Sequence, residues 1–169
     1  MDALRRLTRW FVDPQFEHRK KFLGSLDLFA DLSSGDLGQL ARSLHARTYR
    51  PGEVVFVEGD IGRALFILES GSVELARRSP GGEPVKLYTL KPGEFFGEMA
   101  LLESLPRSAT ATAVETSRLH LLYRTKLEAL LRSQPRIGTA IMRHLARLLS
   151  ARLRRVSGAL TAASAAPHA

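Results

Sequence analysis

The chain has 169 residues, of which 44% are hydrophobic and 25% charged, which suits one soluble domain with its own core. It contains no cysteine, which excludes disulfide bonds, thiolate nucleophiles and cysteine-ligated metals, and no apolar run reaches the roughly 18–20 residues of a membrane span. The net charge is +8, but residues 25–128 hold twelve basic against fourteen acidic side chains, which excludes a uniformly basic nucleic-acid-binding domain.

Residues 1–44 are predicted to form an N-terminal helical segment. Two short helices over 2–11 and 14–23 are separated at Asp13-Pro14, because proline fits the first turn of a helix. Charged residues interrupt the first ten positions too often for a signal peptide, so we expect a cytoplasmic protein. Ser33 and Asp36 have the spacing of a capping box, which opens an amphipathic helix over 34–44.

Residues 45–124 have the pattern of a β-roll. Short apolar or alternating runs are separated by turn residues, at 54–57, 64–68, 73–75, 85–90, 109–114 and 118–123. Many short strands at close spacing predict an antiparallel sandwich, jelly roll or barrel. The Pro-Gly-Glu sequence at 51–53 recurs at 92–94, which predicts two similar corners.

Residues 125–169 are predicted to be helical. Thr125 and Glu128 resemble a second capping box, opening a helix through about Ser133, and Pro135 starts a longer helix. One stripe of that helix is mainly apolar, and it contains Ile137, Ile141, Leu145, Leu148, Leu149, Arg152, Val156 and Leu160. From Gly158 onwards we expect fraying. The whole reads as an α+β fold: an antiparallel jelly-roll β-roll with N-terminal helices and a long C-terminal helix.

The segment 95–110, called the cassette below, carries the most chemistry. A strand is predicted to end at Phe96, Gly97 to permit a tight turn, and a single helical turn to run from Met99 to Glu103. The first amides of a helical turn have no internal partner and attract anions. Arg107 beside those amides completes a pocket for one phosphate. Glu98 repels a phosphate but accepts hydrogen bonds from neutral hydroxyls such as those of a ribose, so the segment favours a small nucleotide.

The cassette resembles that of the cyclic-nucleotide-binding domains. Their pattern, Phe-Gly-Glu-[Leu/Met]-Ala-Leu followed by Pro-Arg-x-Ala-Thr, is matched by residues 96–101 and 106–110. The spacing from Glu98 to Arg107 is like that of protein kinase A regulatory subunits. The resemblance extends over about residues 26–150 and includes Glu58-Gly59-Asp60 after the first Pro-Gly-Glu corner.

The resemblance implies a role for each matching residue. Arg107 would pair with the phosphate of a 3′,5′-cyclic nucleotide, and Glu98 would accept from the ribose 2′-hydroxyl. The other cassette residues would supply close backbone approach or polar contacts to the ligand, and they are Gly97, Met99, Ala100, Ser108 and Ala109. In this family the last helix caps the base, and the resemblance implies that Leu148, Arg152 or Leu153 would cap it in this chain. The serine at Ser108 favours cAMP, with cGMP as the second candidate.

Two interpretations from different classes stay open. In the first, the chain is a cyclic-nucleotide sensor whose C-terminal helices move on binding and present their stripe to a second copy or an effector protein. In the second, Arg107 and Glu98 form a structural ion pair, the pocket binds no ligand, and the basic C-terminal helix contacts an acidic partner or nucleic acid.

The remaining residue patterns predict neither catalysis nor sequence-specific DNA binding. About 15 residues follow Arg154-Arg155, which is short of a helix-turn-helix of roughly 50–60 residues. The five histidines are scattered without metal-ligand spacing, so we expect no metal and no cofactor besides the nucleotide ligand. The serines lack the context of a catalytic nucleophile. We therefore expect a protein that is not an enzyme.

Overall fold

The helices at the N-terminus form where proline and capping residues start them. The computed structural model describes residues 13–103 and 105–165, except for the side chains of Ala100, Arg152, Arg155, Val156 and residues 159–165. Helix α1 spans Pro14–Gly24, a 3₁₀ turn spans Asp27–Phe29, and α2 spans Ser34–Ser43. The capping box is confirmed, with the Ser33 hydroxyl accepting from the Asp36 amide. The helix predicted over 2–11 lies outside the described residues.

Within the described ranges, eight antiparallel strands form two four-stranded sheets. They are β1 (His45–Tyr49), β2 (Val54–Phe56), β3 (Ala64–Ser70), β4 (Val73–Arg78), β5 (Pro84–Leu90), β6 (Phe95–Phe96), β7 (Thr110–Ala113) and β8 (Ser117–Tyr123). The strand order is β1-β8-β3-β6 in the first sheet and β2-β7-β4-β5 in the second. Apart from β4 and β5, strands that follow one another in the chain lie in different sheets. This is the topology of a jelly roll, as the strand pattern predicts.

Two buried apolar clusters hold these layers together. One fills the space between the two sheets and includes Phe66, Leu68, Phe96 and Leu119. The other lies between the first sheet and the helices. It brings together residues of the first sheet and of each helical element that the structure describes: Leu23, Phe29, Leu40, Leu65, Ile67, Leu101, Leu122, Leu127, Leu130, Ile137, Ile141 and Leu145. Alternate residues of β3 serve the two clusters, because successive side chains of a strand point to opposite faces.

In its described residues the C-terminal half adds three helices, and one detail of their predicted starts is wrong. Helix α3 spans Met99–Leu102, α4 spans Arg124–Ser133 and α5 spans Pro135–Ala165. The cap of α4 is Tyr123, which makes no side-chain capping bond, so Thr125 is not a capping residue. The amide of Arg124 donates instead to the carbonyl of Arg63 at 2.9 Å, so the helix starts directly at the strand end.

The α5 helix continues beyond Gly158 to Ala165 in the structure, and the fraying expected from Gly158 onwards stays a prediction. Alanine is the best helix-forming residue and recurs through this end of the chain. None of the helices in the described ranges is long and apolar enough to cross a membrane.

The repeated Pro-Gly-Glu sequence forms two corners with the same hydrogen bonds. In the first, the Glu53 amide donates to the Arg50 carbonyl and the Glu53 carboxylate accepts from the Arg50 amide at 3.1 Å. In the second, Glu94 makes the same two bonds with Lys91. The glycines at 52 and 93 have φ of 80° and 91°, where L side chains are strained. The sequence echo is thus a structural repeat.

Candidate functional site

A cavity of about 180 Å³ lies beside the cassette, between the two sheets. The cassette residues that line it are Phe95, Phe96, Gly97, Glu98, Met99, Leu105, Pro106, Arg107, Ser108 and Ala109, and the opposite wall is made by Phe56, Leu75, Tyr88 and Leu90. The lining therefore combines the polar or charged side chains of Glu98, Arg107 and Ser108 with apolar side chains. Such a cavity fits a ligand with one charged and one apolar part.

The backbone of Arg107 is held by the turn that follows β2. The Arg107 amide donates to the Asp60 carbonyl at 2.8 Å, and the Gly59 amide donates to the Arg107 carbonyl at 2.9 Å. Next to this pair, the Glu58 amide donates to Oγ1 of Thr110 at 3.0 Å. The Glu58-Gly59-Asp60 turn and the second half of the cassette are therefore one bonded unit, although some 50 residues separate them in the chain.

The side chain of Arg107 is fixed by two backbone carbonyls. Nη1 donates to the carbonyl of Gly97 at 3.1 Å, and Nη2 donates to that of Ala64 at 2.9 Å. Burial lowers the pKa of the Arg107 guanidinium, while the negative charges of Glu98 and Asp60 raise it. A partly desolvated guanidinium beside a cavity is a strong partner for an anion, because the low local dielectric enhances charge-assisted hydrogen bonds.

The turn before α3 brings Gly97 and Glu98 against this guanidinium. Gly97 has φ of 72°, and a Cβ built on it would lie closer than 3.0 Å to Nη1 of Arg107. Glycine is required at this position both for the backbone conformation and for the close approach. Glu98 is the N-cap residue directly before α3 and is only 5% exposed, so the structure buries it in the cavity wall.

The other cassette residues predicted from the sequence differ in exposure. Met99 is 48% exposed at the cavity mouth, Ser108 is exposed, and Ala109 is buried at 6%. Ala100 lies within α3, and its side chain is outside the described part of the structure. The cassette half of the predicted site is therefore gathered around one cavity.

Of the residues predicted to cap a base, Leu148 lies in a second space that adjoins the cavity. This groove of about 790 Å³ shares Leu75, Tyr88, Leu90 and Phe95 with the cavity. Helix α5 lines its far side with His144, Leu148 and Ala151. Leu148 is thus near the cavity but not part of it. The side chain of Arg152 lies outside the described residues, and Leu153 is 67% exposed.

Sequence reasoning missed the wall of the cavity. Phe56, Leu75, Tyr88 and Leu90 come from strands β2, β4 and β5, far from the cassette in the chain. The available signal was the alternation of those strands, since every second residue points into the roll. Alternation alone does not tell which inward residues fill the core and which border a cavity.

A second group of charges lies on the outer face of the first sheet, under α1. Glu69 of β3, whose side chain is 7% exposed, lies 2.6 Å from Nε of Arg118 and 3.0 Å from Nε2 of the fully buried His120. His18 of α1 lies 2.8 Å from the other carboxylate oxygen. Burial lowers the pKa of His120, with Arg19 and Arg118 adding to this and Glu69 opposing it. This group contacts α1 and not the cavity.

A comparison with protein families finds one match. The model of the cyclic nucleotide-binding domain matches residues 46–134, which is more than half of the chain. The match spans β1 to the end of α4 and contains the whole cassette.

Comparisons with individual proteins agree. The chain is 40% identical over 127 residues to the cyclic AMP receptor protein of Thermus thermophilus, covering 75% of this chain and 57% of that protein. It is 41% identical over 92 residues to a cAMP-dependent protein kinase regulatory subunit of Yarrowia lipolytica, covering 54% of this chain and 24% of that protein. The chain therefore spans between a quarter and somewhat more than half of these relatives.

The solved structures include a similar fold. The crystal structure of the Thermus thermophilus catabolite activator protein has a TM-score of 0.73 at 39% identity, covering 81% of this chain and 62% of that one.

Proposed function

The chain belongs to the cyclic nucleotide-binding domain family, and from this premise we propose that it binds a cyclic nucleotide, cAMP before cGMP, as a regulatory and not an enzymatic protein. The observation that carries the proposal is the position of Arg107 in the cavity wall beside Gly97 and Glu98. Two of its relatives are described by their names as responding to cyclic AMP.

Arg107 is proposed to bind the phosphate. Its guanidinium is half-buried and is held by the carbonyls of Gly97 and Ala64 on two of its nitrogens. A guanidinium has five N–H donors, so donors remain for the two oxygens of a phosphodiester. A phosphate docked at this group gains a charged partner whose orientation is fixed before the ligand arrives, which reduces the entropic cost of binding.

Glu98 is proposed to bind the ribose hydroxyl. Its side chain is nearly buried in the cavity wall, next to the turn that approaches Arg107. A carboxylate in that position repels a phosphate but accepts a hydrogen bond from a neutral hydroxyl group. Arg107 and Glu98 together would thus bind the charged and the neutral polar parts of one cyclic nucleotide.

The base is proposed to lie along the apolar wall toward α5. Leu75, Tyr88, Leu90 and Phe95 border both the cavity and the adjoining groove. A planar base stacked against these side chains would extend from the cavity into the groove, where it meets the face of α5 that carries Leu148. Ser108 and Arg152 are the further proposed contacts, on the family pattern.

Ligand binding is proposed to reach the C-terminal helices through α3. Leu101 of this turn belongs to the same buried cluster as Leu127 of α4 and Ile141 of α5. The side chain of Arg124, at the start of α4, donates to the carbonyl of Glu103 at the end of α3. A movement of α3 onto a phosphate would therefore change the packing of α4 and α5, in proportion to the ligand's preference for one arrangement.

The movement is proposed to change which surface α5 presents to a binding partner, either a second copy of the chain or an effector protein. Of the residues in the stripe, Ile137, Ile141 and Leu145 are fully buried, whereas Leu148 and Leu149 are half-exposed. The apolar stripe of α5 thus continues beyond the part that packs on this domain. Sedimentation analysis with and without cAMP distinguishes the two kinds of partner, since only self-association changes the mass of the purified protein.

The test is isothermal titration of the purified protein with cAMP and with cGMP. We expect a dissociation constant in the micromolar range or tighter, which is about −8 kcal/mol or better. Arg107→Ala should weaken binding by about 2–5 kcal/mol, because the phosphate would lose its buried charged partner. Arg147→Ala, which removes one exposed arginine from α5, is the matched control and should bind as the wild type does.

Two results would contradict the proposal. In the first, neither nucleotide releases heat or raises the melting temperature at saturating concentration, and the basic face of α5 becomes the place to look for function. In the second, Arg107→Ala binds as tightly as the wild type, and the site lies elsewhere.

A further inference from the structure

The guanidinium of Arg107 lies over an aromatic ring that the cassette does not supply. Its central carbon is 4.1 Å from the centroid of the Phe56 ring and 5.4 Å from that of Phe66. The carbonyls of Gly97 and Ala64 hold its nitrogens at 3.1 and 2.9 Å. The guanidinium is therefore held at its edge by two carbonyls and on its face by an aromatic ring.

Phe56 is itself held by neighbouring rings. It ends β2, where the pairing with β7 shifts by one residue between Val54 and Phe56. Its ring is 5.4 Å from that of Phe66 and 5.8 Å from that of Phe96, and it lines the cavity. The β-bulge and these two rings leave Phe56 little freedom to turn away from Arg107.

An aromatic face attracts a cation through the negative charge of its π system. The attraction acts within about 6 Å of the ring centre and is stronger when the pair is desolvated. A ring also differs from a carboxylate as a partner, because it leaves the N–H donors at the edge of the guanidinium available to an incoming anion.

We propose that Phe56 is a positioning residue for ligand binding, whose ring face holds the Arg107 guanidinium in the orientation that receives the phosphate. This inference rests on the proposed function, since it assigns to Phe56 a part in the same site. A different role, in which Phe56 only fills space in the core, predicts the same loss on truncation but no dependence on the electrons of the ring.

The experiment replaces Phe56 by mono-, di- and trifluorophenylalanine and measures the dissociation constant for cAMP by isothermal titration. Fluorine withdraws charge from the ring face while the shape of the side chain changes little. We expect binding to weaken stepwise with each fluorine, to about three- to tenfold for the trifluoro variant, with the logarithm of the constant following the cation affinity of the ring.

The same series at Phe96 is the matched control. That ring packs against those of Phe56 and Phe66 and lines the same cavity, but the guanidinium lies over Phe56 and Phe66. We expect no trend at Phe96. A flat series at Phe56, or an equal trend at both positions, overturns the inference.

A second measurement reads the contact in the ligand-free protein. The Nε–H signal of Arg107 in a nitrogen–proton correlation spectrum, assigned through Arg107→Lys, should be displaced by the ring current of Phe56. Phe56→Leu should move that signal toward the position of a free arginine, and Phe96→Leu should leave it nearly unchanged.

The outcomes separate the two proposals. If the wild type binds cAMP and the fluorine series at Phe56 is flat, the inference fails and the proposed function stands. If the wild type binds no cyclic nucleotide, the proposed function fails and the inference fails with it, whatever the spectrum shows of the contact.

Discussion

Gly97 and Arg107 approach each other so closely that no side chain fits between them. A Cβ at Gly97 would lie closer than 3.0 Å to Nη1 of Arg107, and the Gly97 carbonyl accepts from the same nitrogen at 3.1 Å. The backbone of one half of the cassette thus forms the support for the charged side chain of the other half. This relationship makes the glycine as much a part of the proposed site as the arginine.

We predict that Gly97→Ala weakens cAMP binding by about tenfold or more, which corresponds to about 1.4 kcal/mol. The new methyl group displaces the guanidinium, and the φ of 72° adds about 1–2 kcal/mol of strain. Isothermal titration measures the loss of affinity, and urea unfolding measures the loss of stability.

Gly82→Ala is the control for strain alone, because Gly82 has φ of 88° and open space around its Cβ position. It should lose stability through strain, though less than Gly97→Ala, whose new methyl group also overlaps the Arg107 guanidinium, and it should keep its affinity for cAMP. Equal affinities for Gly97→Ala and the wild type would show that the close approach has no bearing on the ligand.

The capping box of α2 gives a prediction on stability and one on ionisation. Ser33→Ala should reduce the free energy of unfolding by about 0.5–2 kcal/mol, because the Asp36 amide loses its acceptor. The Ser33 hydroxyl bond holds the pKa of Asp36 below its ordinary 3.8. The Asp36 pKa should therefore rise in Ser33→Ala, as followed by NMR titration of its carboxyl carbon.

The sign of the pH effect follows from the lowered pKa of Asp36. Its contribution to stability is present above pH 3.8 and is lost as the pH falls through the lower folded value. Ser43→Ala, on the same helix but bonded only to the Gln39 carbonyl, should change neither the stability by a comparable amount nor the titration of Asp36. A similar loss in both variants would mean that the cap is not the cause.

Ser117 supplies a buried hydroxyl that joins two turns of the roll. Its oxygen accepts from the Ser72 amide at 3.0 Å and lies 2.8 Å from the Glu115 carbonyl. We predict that Ser117→Ala lowers the free energy of unfolding by about 1–3 kcal/mol, because the Ser72 amide is left without its acceptor. Urea unfolding measures this loss of stability.

The control is Ser133→Ala, at an exposed helical position. It should lower the free energy of unfolding by less than about 0.5 kcal/mol, and an equal loss in the two variants would refute the argument.

His120 is predicted to make the stability of the protein depend on pH near neutrality. Burial lowers its pKa below the ordinary 6.5, so the unfolded chain takes up a proton before the folded chain does. The stability that neutral His120 contributes is present above pH 6.5 and is lost as the pH falls below it. In His120→Gln, which does not titrate, the fall in stability between pH 7.5 and 5.5 should be smaller than in the wild type.

Urea unfolding of both proteins at pH 7.5, 6.5 and 5.5 checks this. The groups around His120 are Glu69, Arg118, Arg19 and His18, and all of them remain in the variant. If the attraction of Glu69 outweighed the effect of burial, the pKa of His120 would be raised instead of lowered. The wild type would then gain stability relative to His120→Gln on acidification, and the predicted direction would be wrong.

Local patterns were sufficient to predict most of the fold and the cassette half of the site. The capping box at Ser33 and the proline at Pro135 act on their own neighbours in the chain, so the sequence contains all that is needed to predict them. The same is true of the short strands with turn residues between them. The cassette pattern is likewise a continuous segment of the chain, and it lies inside the residues 46–134 that match the family.

What failed depends on contacts between distant segments. The start of α4 is set by the bond from the Arg124 amide to Arg63, some 60 residues earlier, which overrides the capping pattern at Thr125. Phe56 under Arg107 and Glu69 beside His120 are likewise pairs that only the strand pairing brings together. No local spacing in the chain indicates them.

The two Pro-Gly-Glu corners also bear on which parts can move. At Gly52 the chain passes from the first sheet to the second, and at Gly93 it passes from the second sheet to the first. Each glycine amide donates at 2.8 Å to the sheet that the chain is entering, to the carbonyls of Ala113 and Leu68. Shear of one sheet over the other would strain both crossings at once. The sheets therefore serve as a fixed frame, and a ligand-driven rearrangement would take place as a hinge motion of α3, α4 and α5 outside them.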